Sequence, residues 1–185
     1  MALWIIIGIA VLLLLWLIAM YNGFIKARIK IDNSWSDINV YLKKRFDLIP
    51  NLVNTVKGYA AHESSTLEKV VQARNAAAAV PSNNVGQVAQ ANHALDGALR
   101  VLLAVAESYP DLKANQNFLE LQRALQDIEG DLGNARRYYN ATVRDYNTSI
   151  EQFPGVLIAN ATGFTKREFF ELEDATEARN VEVKF

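Results

Sequence analysis

Residues 2–21, ALWIIIGIAVLLLLWLIAMY, carry no charged side chain, whereas all 19 basic and 20 acidic residues of the chain follow them. Such a segment cannot bury itself in a small domain without displacing the rest of the core. Twenty residues at ~1.5 Å rise reach ~30 Å, the thickness of a bilayer's hydrocarbon core. Trp4 and Tyr21 lie near its two ends, where amphipathic rings favour the headgroup layer. A cleaved secretory signal carries a basic leader, a shorter apolar stretch and a small-x-small cleavage site. None of these is present, and the segment ends in Ile18-Ala19-Met20-Tyr21. Residues 1–22 are therefore expected to be a retained transmembrane anchor in contact with the lipid bilayer.

Lys26, Arg28 and Lys30 follow the anchor, and no basic side chain precedes it. The positive-inside rule then puts the N-terminus outside and residues 22–185 in the cytoplasm. Translocation of the whole C-terminal part is the alternative. The same three cations are close enough to the bilayer to touch anionic headgroups. Lys43-Lys44-Arg45 begin about 22 residues beyond Tyr21, or ~33 Å along a straight helix, several times a Debye length of ~8 Å. That second group is expected to be solvated or to face a partner.

Zero cysteines exclude disulfides, thiolate nucleophiles, Cys-ligated zinc and S-palmitoyl anchors. A net charge of −1 and a pI near 6.1 argue against a nucleic-acid partner, which favours basic domains. The four prolines, at 50, 81, 110 and 154, leave long uninterrupted blocks suited to long helices.

The spacing of Ile25, Ile29, Trp35, Ile38, Leu42, Phe46 and Ile49 predicts that the anchor runs on as one helix to about Asp47. Pro50 predicts a break, with a second helix from Asn51 to the loop Pro81-Ser82-Asn83-Asn84. A third is expected over Val85–Ser108. Phe118, Leu121, Leu125, Ile128, Leu132, Ala135, Tyr139, Thr142, Tyr146, Ser149 and Phe153 form a coiled-coil-like stripe on a fourth, stopped by Pro154-Gly155. The expectation is an all-α protein: a transmembrane helix continuing into an up-and-down four-helix bundle over residues 23–155. Residues 156–185 read as a less regular tail, with Val181, Val183 and Phe185 alternating at an extended end.

The residues Asp47-Leu48-Ile49-Pro50-Asn51-Leu52-Val53, Thr55-Val56-Lys57-Gly58-Tyr59-Ala60 and His62-Glu63 resemble the LemA family. So do Leu103-Ala104-Val105-Ala106-Glu107, Tyr109-Pro110-Asp111-Leu112-Lys113-Ala114-Asn115 and Asn117-Phe118-Leu119. Trp35-Ser36-Asp37-Ile38, Tyr139-Asn140, Tyr146-Asn147, Phe153-Pro154, Gly163-Phe164 and Phe169-Phe170-Glu171 extend the likeness over nearly the whole chain. Gly130 departs from it, since the family more often has Asn after Glu129, and with Gly133 it suggests a bend or a close approach. The resemblance implies a bacterial inner-membrane protein with a helical soluble part and no established activity. It also implies association with membrane-bounded organelles in magnetotactic bacteria for some members, and for others genes encoded beside those of membrane metalloproteases of the HtpX type.

Catalytic patterns are sparse. His62-Glu63 would need His at 66 to open a zincin helix, and Thr66 stands there; His93 is isolated. Asp127, Glu129 and Asp131 point to diverging helix faces and read as a solvated acidic surface. The Glu-x-x-His pair of a di-iron bundle and Gly-rich phosphate loops are missing, and Ser34, Ser36, Ser64 and Ser65 have no nucleophile-elbow setting. No enzyme, cofactor or metal is expected. Asp47, Asn51, Asn117, Asn140 and Asn147, if buried, would be hydrogen-bonded and fix helix register.

The expected role is a non-catalytic scaffold or adaptor of the inner membrane. The competing role is a regulatory subunit of a membrane protease, of the HtpX type, or of an envelope-stress pathway. Ala98–Ala106 is apolar nearly all round, and Ala94, Ala98, Val101 and Val105 form a face that helix four cannot cover. Val101 and Val105 are thus expected at a homo-oligomer contact, unless Pro154–Phe164 covers them. Gly8 has no small residue four positions away, so the anchor itself adds little to assembly.

Overall fold

A computed structural model describes residues 1–170. These residues form six helices: α1 (Ala2–Lys57), α2 (Ser64–Ala79), α3 (Val85–Ala106), α4 (Pro110–Lys113), α5 (Gln116–Glu151) and α6 (Gly155–Thr162). No strand occurs among the described residues, as expected for an all-α chain. The alternating Val181, Val183 and Phe185 lie outside them.

The chain divides into two compact units. One combines Met1–Arg45 with Gln126–Phe169, and the other is built on Phe46–Leu125. In the first, Phe24, Ile31, Ile38 and Arg45 are buried at seven-residue steps along α1, with Ser34 and Leu42 between them. Ile31 is 2% exposed and Ile29 51%, so the inward face is rotated from the one expected through Ile25 and Ile29. The α5 stripe is buried or half-buried from Phe118 to Ser149. Phe153 is 81% exposed, because α5 ends at Glu151. Gly130 and Gly133 lie inside α5, and a Cβ at Gly130 would meet nothing within 4 Å, so no close approach explains it.

In the second unit, Leu52 and Val56 of α1, Leu67 and Val70 of α2, Leu95, Leu99 and Leu102 of α3, and Phe118 and Leu125 of α5 share one apolar core. Asn84 caps α3 by accepting from the Gln87 amide at 3.0 Å. Asn115 caps α5 by accepting from the Phe118 amide at 3.0 Å, and its Nδ2 donates to Tyr59 Oη at 2.8 Å. Tyr109 Oη donates to Glu63 Oε1 at 3.4 Å. The polar residues of the family-like motifs here tie the turn after α1 to the turns flanking α4.

The expected break at Pro50 does not occur. A proline inside a helix leaves the carbonyl four residues back without its donor, at ~3 kcal/mol or more. That carbonyl belongs to Phe46, and Arg74 Nε of α2 donates to it at 3.2 Å. A tertiary hydrogen bond replaces the missing amide, so α1 continues to Lys57. The reversal comes instead at Gly58–Glu63, where the Tyr59 and Ala60 amides both close on the Val56 carbonyl.

Replacing Arg74 by Met should lower stability by about 1–3 kcal/mol, the cost of an orphaned polar group. Pro50→Ala restores the helical amide, so the same replacement in that background should cost clearly less. Denaturant unfolding of the four proteins measures the difference, and equal losses would show that the guanidinium serves another purpose.

Candidate functional site

In the first unit, α1 and α5 meet through Trp35 and Tyr139, whose ring centroids lie 5.4 Å apart, and through the Ser34 and Thr142 hydroxyls at 3.3 Å. Arg45 is 1% exposed and its Nε lies 2.6 Å from Glu129 Oε1. This corrects the expectation for both residues: Arg45 leaves the Lys43-Lys44 surface group, and Glu129 leaves the acidic face. Helical geometry turns Arg45 seven residues on from Ile38, hence inward, and its charge is met by the carboxylate on α5.

After α5 the chain turns at Gln152–Pro154 and enters α6. Gly155 is required there, since a Cβ would stand 2.2 Å from the Ser149 carbonyl oxygen. Gly163 ends α6 in the left-handed region at φ 76°, with the Phe164 amide closing on the Ala159 carbonyl at 3.0 Å. The tail thus begins as a helix, and then Phe164–Phe169 runs back along α5 without helical bonds.

That stretch is paired by side chains. Tyr146 Oη donates to the Thr165 carbonyl at 3.0 Å, and Tyr139 Oη to the Glu168 carbonyl at 2.9 Å. Between them Asn147 Nδ2 donates to the Arg167 carbonyl at 2.9 Å, while its Oδ1 accepts from the Arg167 amide at 2.9 Å. One side-chain amide thereby imitates a neighbouring strand. The match is metric: seven helical residues rise ~10.5 Å, and three extended residues span ~10 Å. Arg167 also pairs with Asp32 of α1 at 2.5 Å, and Lys166 with Glu151 at 2.5 Å. Burial pushes the Tyr139 hydroxyl up to about 12, against the opposing charge of Arg167, and raises Tyr146 for the same reason. Both phenols therefore stay donors at neutral pH.

A cleft of about 500 Å³ opens beside this segment, walled by Met20, Gly23 and Phe24 on one side and Tyr146, Phe153 and Gly155 on the other. Lys30 and Asp145 are its charged members. Lys26, Arg28 and Lys30 are all exposed; Arg28 sits 5.7 Å over the Phe164 ring and Lys30 5.4 Å over Tyr138. Of the five polar residues expected to fix register, Asn147 is buried, Asn140 is half-buried, and Asp47, Asn51 and Asn117 are exposed. His62 and His93 are exposed, and no group of three His, Cys, Asp or Glu residues gathers among the described residues. Val101 is 53% exposed and Val105 half-buried, while Phe164 packs on Tyr21 and Phe24. The sequence reading placed Tyr139 and Tyr146 in the apolar stripe. Their hydroxyls, which need partners once buried, were the available signal.

Asn147→Leu should expose the Lys166 and Arg167 peptide bonds to trypsin. A loss of ~1.4 kcal/mol corresponds to about tenfold more opening, and cleavage there should accelerate by at least that factor. Unchanged cleavage would deny the asparagine its role. Tyr139 adds a pH signature. Its raised value makes its contribution complete below about 10, the ordinary tyrosine value, and lost as pH rises through about 12. Between those limits the wild type should lose more stability than Tyr139→Phe in parallel denaturant titrations.

The LemA family model matches residues 34–185. Magnetosome protein MamQ of Magnetospirillum gryphiswaldense is 26% identical over 178 residues, covering 83% of this chain and 65% of that protein. Magnetosome protein MamQ 2 of Paramagnetospirillum magneticum is 26% identical over 183 residues, covering 86% and 67%. Protein LemA of Metamycoplasma hominis is 25% identical over 132 residues, covering 71% and 60%. This chain therefore spans about two thirds of the length of the curated relatives it matches. A match over most of the chain, on the helices just described, makes it a member of the LemA family.

Proposed function

We propose that this protein is a membrane-anchored, non-catalytic helical scaffold or adaptor that self-associates in the bacterial inner membrane. One observation carries the reading. Ala2–Ala19 are all exposed and uncharged, yet they belong to the same helix whose continuation, from Phe24 to Val56, lines the cores of the protein. An apolar surface of that size needs lipid around it. Anchor and body share one helix, which suits a protein that holds a position at a membrane rather than one that turns over a substrate.

The exposed cations Lys26, Arg28 and Lys30 support an outside N-terminus and a cytoplasmic body, with those side chains at anionic headgroups. The relatives named as magnetosome proteins support a place at a membrane. Exposed Val101, beside Val105, is the proposed contact between copies.

Light scattering in mild detergent should give an oligomer for the wild type and a folded monomer for Val101→Glu. A monomer in both cases rejects the contact. Copurification of a stoichiometric membrane protease, such as one of the HtpX type, would replace the scaffold reading by that of an accessory subunit.

A further inference from the structure

Between Glu151 and Lys166 the chain carries no charged residue, and α6 lies in the middle of that stretch. Leu157 on α6 is 62% exposed, and Phe153 in the turn before it 81%. A short helix with such residues facing outward is unusual in water. Its position accounts for it. α6 stands against the last turns of the apolar segment of α1, where Leu17, Ile18 and Tyr21 face Leu157, Ile158 and Ala161 across an apolar groove of about 480 Å³. Phe164, just after α6, sets its ring edge-on to Tyr21 at 5.5 Å and to Phe24 at 5.4 Å.

We propose that α6 and the turn at Phe153 form a second membrane contact, entering the bilayer interface beside α1, with a phospholipid acyl chain in the groove. The proposal rests on the reading of residues 2–21 as a membrane span. Given that reading, depth follows from geometry. Tyr21 closes the apolar stretch, and Leu17 lies one helical turn, ~6 Å, further in. The α6 side chains that face them sit at the same level, within the ~5–10 Å to which interfacial helices penetrate. Arg28 over Phe164, at 5.7 Å, marks the headgroup layer immediately above. Because the groove is continuous with the lipid-facing side of the span, lipid reaches it with no route through water. Phe153-Pro154 and Gly163-Phe164 then bracket a wedge: Gly155 and Gly163 make the two reversals, and the uncharged residues between them meet lipid.

The chain has no cysteine, so single introduced cysteines can carry spin labels without further change. Leu157→Cys and Phe153→Cys report on the wedge, Leu12→Cys on the span, and Asn83→Cys on an exposed loop. The full chain is placed in vesicles of phosphatidylethanolamine and phosphatidylglycerol, and each label is tested for collision with oxygen and with a water-soluble nickel chelate. The expected result is a severalfold higher oxygen-to-nickel ratio at 153 and 157 than at 83, approaching the ratio at 12. Nickel access at 153 and 157 with 12 protected overturns the wedge alone. Nickel access at 12 overturns the membrane reading with it. Labels at 153 and 157 shielded from both agents also overturn the proposal, because a protein surface then covers the site.

Discussion

Every backbone amide and carbonyl that leaves water must find a partner, and this protein meets that requirement almost wholly with helices. The requirement becomes visible where a helix cannot satisfy it. At Pro50 the orphaned Phe46 carbonyl is taken by Arg74, and a 56-residue helix results in place of two shorter ones. At Thr165–Glu168, where no strand is available among the described residues, Tyr139, Tyr146 and Asn147 supply bonds of the kind a sheet supplies. At the start of α5, Asn115 does the same for an amide of the first turn. Side chains on neighbouring elements thus decide where the chain stays helical and where it departs.

The buried polar groups follow the same logic. Arg45 would be expensive inside an apolar helix interface, yet Glu129 on α5 meets its charge. Ser34 and Thr142 each bond a carbonyl of their own helix at 2.8 Å and approach each other across the interface. Leu and Ile side chains can slide along a helical seam at low cost. A guanidinium that must reach one carboxylate, or an asparagine that must reach one peptide group, selects a single register. In a protein with repeated seven-residue spacing on both α1 and α5, the Arg45–Glu129 pair forms only where those two residues lie opposite each other.

Much of the fold was legible beforehand because periodicity is a local property. The α5 stripe, the loop at Pro81–Asn84 and the end of the long helix near Pro154 all follow from residues within a few turns of one another. Pro50 misled for the opposite reason. Its cost is local, but its remedy is a residue 24 positions away on another helix. Tyr139, Tyr146 and Asn147 were partly legible: their places on α5 were evident, whereas the segment they hold lies about 20 to 30 residues downstream. Arg45 was misread with its neighbours Lys43 and Lys44, since a run of three cations resembles a surface until the helical phase assigns each one a face.

By itself, then, the sequence determined an uncharged segment of bilayer length, an all-α fold class and its family membership. These depend on composition, on spacing and on residues read one after another. Tertiary structure decided that α1 is continuous, that Arg45 is an interior residue, and that the chain after α5 folds into α6 and a side-chain-paired extended segment against Tyr21 and Phe24. Each of those outcomes turns on a polar group or an aromatic ring finding its partner on a different element, and local spacing carries no information about such a meeting.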